Sequence, residues 1–161
     1  MKTIDINIKI RFCHFEELAE EDRQLVEMAV EATNNAYAKY SNFRVGAAVR
    51  LENGLLMKGA NQENAAFPVT LCAERTAIFA AQANYPEQPI TAIAIAAKNE
   101  NGLLSEPITP CGSCRQVMLE IEDRYKRPLR ILLYGQNGVY IVDTVKDLMP
   151  LSFVDASMKG K

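Results

Sequence analysis

Two stretches decide how this chain is read: LCAERTAIFAA, residues 71 to 81, and PCGSCRQVM, residues 110 to 118. Between them they hold Cys72, Cys111 and Cys114, three of only four cysteines in the chain. Each set of thiols stands where a helix is expected to begin. A helix N-terminus favours a thiolate through its unpaired N–H groups and the macrodipole. Pro110 fits a helix start, and Gly112 lets the backbone turn tightly behind it.

Three thiolates leave one position of a tetrahedral zinc ion open, the pattern of a catalytic rather than a structural site. Glu74 lies two residues after Cys72, on the same turn but pointing elsewhere, so it can reach a water at the open position without being a ligand. Three thiolates on a divalent ion leave a formal negative charge, which weakens acidification of that water. Arg75 is the first candidate to offset this charge through a hydrogen bond to sulfur, with Arg115 as the second. Plainer readings stand beside these. Cys111 and Cys114 alone would suit a redox pair, Glu74 a solvated carboxylate, and either arginine a helix-face charge. Cys13 and His14, adjacent to one another, read as packing rather than as ligands.

Working outward, the 161 residues and 48% apolar content suffice for one domain with a real core. Residues 2 to 12 alternate loosely through Ile4, Ile6, Ile8, Ile10 and Phe12, which predicts an edge strand or an extended arm. From about residue 15 the spacing becomes helical, through Leu25, Met28, Ala29, Ala32 and Ala36, and a helix is expected to run to about residue 40. Residues 45 to 51 and 55 to 60 flank Asn53-Gly54 and predict a hairpin. A helix over 72 to 83 presents a small-residue face of Ala73, Ala77, Ala80 and Ala81. Residues 90 to 97, ITAIAIAA, read as a central strand covered on both faces. A helix over 112 to 125, strands over 129 to 134 and 139 to 142 around Asn137-Gly138, and a short helix at 144 to 148 complete the pattern. This order predicts an α/β fold, a three-layer α/β/α sandwich around a mixed five-stranded sheet.

With 18 basic and 20 acidic residues the formal charge is −2. That gives no electrostatic footprint for nucleic acid, and no aromatic platform with interleaved Lys and Arg offers itself to a strand. No stretch approaches the roughly 18 apolar residues of a membrane span, and the opening residues lack a signal-peptide block. The chain therefore reads as cytoplasmic, where closely spaced thiols serve metals or catalysis more often than disulfides.

The pattern Cys72-Ala73-Glu74 with Pro110-Cys111-Gly112-Ser113-Cys114 resembles the signature of the zinc deaminases. The segments YSNFRVGAAV (40 to 49), GANQENAAFP (59 to 68), LCAERTAIFAA, TPCGSCRQVM (109 to 118) and YIVDTVKDLMPLSF (140 to 153) resemble, in order and spacing, the small cytidine deaminases with three zinc-bound cysteines. The resemblance runs from about residue 37 to residue 153. It implies one zinc ion per subunit and hydrolysis of cytidine and 2′-deoxycytidine to the uridines with release of ammonia, a step of pyrimidine salvage. It further implies a homotetramer with active sites near the subunit interfaces.

Carried over by position, Glu74 would protonate N3 and then carry a proton to the departing amine. The Ala73 N–H would hold the base O2, the Thr109 carbonyl would accept from the amino group, and Phe43 would pack on the base. Asn61 and Glu63 would bind the ribose 3′-hydroxyl, and Phe153 would close over the base from a neighbouring subunit. Phe67 stands where the family commonly has tyrosine, and Arg44 where it has proline, which adds a charge near the expected pocket. Residues 1 to 22 exceed the usual N-terminus, an extension of a single domain over 1 to 161, and residues 98 to 106 suggest a longer hairpin excursion. The alternatives are a blasticidin-type aminohydrolase and a non-catalytic, zinc-stabilised nucleoside-binding module.

Overall fold

Residues 1–159 are described here in a computed structural model; the last two positions of the domain expected from the sequence lie outside the described residues. The stretch read as a central strand is β4 (Ile90–Asn99), and both of its faces are buried. Its even side chains Ala92, Ala94 and Ala96 pack with Leu25, Val26 and Ala29, while Ile93 and Ile95 pack with Ala77, Ile78 and Met118. The small residues face one helix and the large ones face two. That division makes three layers: α1 (Glu20–Ala32) on one face of the sheet, α2 (Ala73–Asn84) and α3 (Gly112–Tyr125) on the other.

Around β4 the strands β1 (Ile10–Cys13), β2 (Arg44–Leu51), β3 (Leu56–Ala60), β6 (Arg130–Gly135) and β7 (Gly138–Val142) take the order β1-β7-β6-β4-β2-β3. The pair β4 and β6 is parallel, joined through α3, and the other neighbours are antiparallel. A crossover through a helix is what a parallel neighbour requires.

The sheet has seven strands where five were expected. One addition is β1, which docks on β7 because Phe12 packs its ring against Tyr140 at 5.4 Å and Gly138 leaves room for it. A Cβ at Gly138 would stand 2.3 Å from the Phe12 ring. The other is β5 (Gly102–Leu103), turned back onto Lys98 and Asn99 by Gly102 at φ 106°. The 98 to 106 excursion is thus a short hairpin.

The first helix ends earlier than its apolar spacing suggested. Past Ala32 the backbone tightens into a 3-10 turn over Thr33–Asn35 and then leaves helix altogether. The Tyr37 N–H donates to the Asn61 carbonyl and the Glu63 N–H to the Tyr37 carbonyl, so pairing with a distant segment takes these groups away from the helix. The turn at Asn53-Gly54 forms as expected, with Gly54 at φ 85°. The second hairpin turns on Gln136 and Asn137, and Gly138 opens its returning strand.

Across the layers, the buried Asp22 accepts from Arg50 at 3.1 Å and from Arg130 at 2.9 Å. It ties α1 to two strands. Asp22→Ala removes the shared partner of two guanidinium groups, one of them only 14% exposed. The expected loss is about 3 kcal/mol, the low end for breaking a buried ion pair because Arg130 is partly solvated. Urea denaturation of both chains measures it.

Candidate metal centre and active site

Cys72 is the N-cap of α2 and Cys111 the N-cap of α3, and Cys114 lies one turn into α3. The close approach of α2 to the sheet sets the first of these. Gly59 in β3 admits it, since a Cβ there would stand 2.4 Å from the Ala77 nitrogen and 2.7 Å from the Ala73 carbonyl. Two helix starts from different parts of the chain thereby meet, and the three sulfurs lie within 4.8 Å of one another.

A tetrahedral zinc ion with bonds of about 2.3 Å places its sulfurs about 3.8 Å apart. Cys111 and Cys114 are separated by 3.5 Å, so the cluster fits such an ion with small side-chain adjustments. A third thiol within reach is what a redox pair would not need. All four cysteines are free, and Cys13 stands apart, half-buried against the α1 face.

The electrostatics of the cluster follow from its contacts. Cys72 is lowered to about 5, first by the hydrogen bond it receives from Cys114 and then by Arg75. That same bond, together with burial, pushes the Cys114 thiol up. In the absence of metal the cluster therefore keeps a thiolate at Cys72 and a proton on Cys114. Arg75 donates to the Cys72 sulfur at 3.5 Å, and its Nε is buried without a partner among the described residues. Arg115, the second candidate, does not reach sulfur. Its guanidinium donates to the Pro110 carbonyl at 2.8 Å and the Leu148 carbonyl at 2.9 Å, so it buttresses the turn that carries Cys111.

Glu74 is 5% exposed, and burial raises its carboxyl above the usual range, with the Cys72 charge adding to the effect. It lines a cavity of about 300 Å³ together with Cys72, Ala73 and Cys111. Phe43, Asn61, Glu63 and Thr109 line the same cavity. Every pocket residue expected from the sequence is there except Phe153, whose ring is exposed and whose carbonyl accepts from Gln116 at 2.9 Å. Phe153 does not reach the cavity of its own chain.

Asn61 and Glu63 do more than line the wall. Asn61 accepts from the Val45 N–H at 2.8 Å and donates to the Phe43 carbonyl at 2.9 Å, leaving its second amide hydrogen for another acceptor. Glu63 accepts from the Tyr40 N–H at 2.7 Å and from the Ser41 hydroxyl, and these bonds lower its pKa, Ser41 foremost. Ser41 accepts in turn from the Phe43 N–H at 3.0 Å. The loop carrying Phe43 is thus held by the residues that stand beside it in the pocket. Ser41 was not singled out from the sequence, though a serine two positions before Phe43 is itself a local turn signal. Val45, Thr70 and Ile108, also in the wall, carried no signal of their own.

Arg44 turns out to lie away from the pocket. It sits on β2 one residue before the pocket-lining Val45, and its guanidinium donates to the Ala36 carbonyl at 2.8 Å. The added charge serves to hold the segment after α1 rather than to meet a substrate. Phe67 makes an edge contact with Tyr40 at 5.7 Å beside the cavity.

A cytidine and deoxycytidylate deaminase zinc-binding region matches residues 19–126. The chain belongs to this family of zinc deaminases. A cytidine deaminase of Halalkalibacterium halodurans is 38% identical over 85% of this chain and 98% of its own length. A blasticidin-S deaminase of Bacillus cereus is 28% identical over 84% of this chain and 94% of its own. Among solved structures, the cytidine deaminase from Burkholderia pseudomallei superposes with a TM-score of 0.69 at 41% identity, covering 81% of this deaminase chain and 97% of the other. That from Mycobacterium leprae gives 0.63 at 34%, covering 82% and 98%. Zinc is the cofactor of the family, and the three-cysteine cluster fits that ion. No helix among the described residues is long and apolar enough to cross a membrane.

Proposed function

We propose that this chain is a zinc-dependent cytidine deaminase that hydrolyses cytidine and 2′-deoxycytidine to uridine and 2′-deoxyuridine with release of ammonia. The observation that carries the reading is the buried carboxylate of Glu74 in one small cavity with Cys72 and Cys111, two of the three clustered thiols. Cys72, Cys111 and Cys114 would hold the zinc ion, which would supply the Lewis acidity that activates a water for attack on C4 of the base. Glu74 takes a proton from the attacking water and delivers it to N3, then takes the proton of the new C4 hydroxyl and passes it to the amine as the C–N bond breaks and the C4 carbonyl forms. Its raised pKa suits a group that must both accept and release protons near neutrality.

The remaining roles follow from position. Ala73 opens α2, where the first N–H groups have no partner within the helix, so its N–H is offered to the base O2. The Thr109 carbonyl accepts from the amino group, and Phe43 packs on the base. The second amide hydrogen of Asn61 and the Glu63 carboxylate serve the ribose 3′-hydroxyl, which both donates and accepts. In this reading the whole chain forms one catalytic domain, with residues 1 to 22 as an N-terminal extension. The enzyme works as a homotetramer in the reducing cytoplasm, and Phe153 closes the pocket of a neighbouring subunit.

Arg75 offsets the negative charge of the three-thiolate centre. Arg75→Gln withdraws a positive charge from Cys72, so the thiolate becomes harder to form. Zinc affinity is expected to fall about 10-fold, and the acid limb of zinc occupancy to move to higher pH. Chelator competition across pH measures both, and unchanged affinity and pH dependence would remove Arg75 from the site.

The decisive assay follows the absorbance loss of cytidine, deoxycytidine and blasticidin S with zinc-loaded protein. Consumption of either nucleoside supports the reading and ranks the sugars. Consumption of blasticidin S alone favours the relative from Bacillus cereus as the better guide.

A further inference from the structure

At the sheet edge remote from the pocket, the N-terminal arm presents a row of exposed apolar side chains. Ile4, Ile6, Ile8, Ile10 and Phe12 alternate along it and are 45 to 76% exposed. Asp5, Asn7, Lys9 and Arg11 occupy the other side of the alternation. Residues Ile10–Cys13 already form β1 against β7, and the outer edge of β1 carries no strand among the described residues. An open edge continued by an alternating apolar arm, without proline or an inward charge, invites another strand.

The sequence of the arm says which strand fits. We propose that it pairs antiparallel with the arm of a second copy of this chain, about a twofold axis through Asn7. This register sets Asp5 opposite Lys9 of the second copy, Ile6 opposite Ile8, Ile4 opposite Ile10 and Thr3 opposite Arg11. Each copy contributes the same patch, so opposite charges meet twice and the isoleucines meet only one another. Among the described residues neither Asp5 nor Lys9 has an ion-pair partner, whereas Arg11 is held by Asp143 at 2.5 Å. Moving the axis to Ile8 would set Asp5 against the occupied Arg11 and strand Lys9 beside Asn7. Moving it to Ile6 would set Asp5 against Asn7. A shift of the pairing by one residue would put charges opposite isoleucines. The result is a sheet continuous through β1 of both copies, and it stands whether or not the deaminase reading holds.

The test is covalent capture in the full chain. In this register two Asn7 residues face each other within disulfide reach, whereas two Lys2 residues lie on the order of 30 Å apart. Asn7→Cys is expected to form an intermolecular disulfide under mild oxidation at least ten times faster than Lys2→Cys. Adding Asp5→Lys should slow it about tenfold, and adding Lys9→Asp to that chain should restore it. These residues are exposed and outside the pocket, so retained cytidine turnover or a native circular dichroism spectrum verifies the fold. Capture no faster than for Lys2→Cys, or capture indifferent to the charge inversions, overturns the proposal. Faster capture at Ile8→Cys than at Asn7→Cys overturns its register.

Discussion

Glu74→Gln is expected to lower kcat/KM for cytidine by about 10⁴-fold while zinc content and fold stay unchanged. The amide has the shape of the carboxylate and still hydrogen-bonds, but it cannot take a proton from water or pass one to N3 and the amine. Both proton transfers fail together, hence the large factor. Steady-state kinetics beside metal analysis checks it; activity within tenfold of the parent would remove Glu74 from the proton path. The same substitution has a second consequence of opposite sign. Burial raises the Glu74 pKa, so above the unfolded pKa the ionised carboxylate costs the folded state more than the unfolded one. Without zinc, Glu74→Gln should therefore melt higher than the parent at neutral pH, and the difference should vanish as pH falls below the unfolded carboxylate range.

Chelation at pH 7 is expected to abolish turnover and leave the far-ultraviolet circular dichroism intact, with activity returning on addition of zinc. The reason lies in where the core sits. Both faces of β4 are packed by helices through side chains that owe nothing to the metal, including Leu25, Ile93, Ile95, Met118 and Leu132. A domain that depended on zinc for its fold would unfold instead, as structural zinc modules do. Unfolding on chelation, together with no turnover by the parent and unchanged zinc and nucleoside binding in Glu74→Gln, would support the non-catalytic module. Rebinding should also release at least one proton per zinc at neutral pH, because Cys114 keeps its proton in the metal-free cluster. Lowering the pH reverses this equilibrium, so zinc and activity are lost together on the acid side.

The arginines show why some of the site was legible in advance and some was not. Arg75 comes three residues after Cys72 and Arg115 four after Cys111, each within about a turn of a thiol. Yet only Arg75 faces a sulfur, while Arg115 reaches two carbonyls across the turn. Helical spacing gives the angle at which a side chain leaves its helix but not what lies in that direction. Arg44 makes the same point on a strand. Its neighbour Val45 points into the pocket, so alternation sends the arginine to the opposite face, a placement fixed by which face α1 covers.

By itself, the sequence determined the zinc-binding chemistry and the layered α/β plan, and it named the carboxylate proposed here as general base. Those depend on local facts: thiols at helix starts, a carboxylate on the same first turn, and apolar periods of two and of three to four residues. Only the tertiary structure decided that the first helix stops at Ala32, that the sheet gains β1 and β5, and that Glu63 and Ser41 hold the loop of Phe43. Each of those outcomes rests on hydrogen bonds or ring contacts between segments far apart in the chain. A backbone group takes whichever partner the assembled fold brings nearest, and no local pattern names that partner.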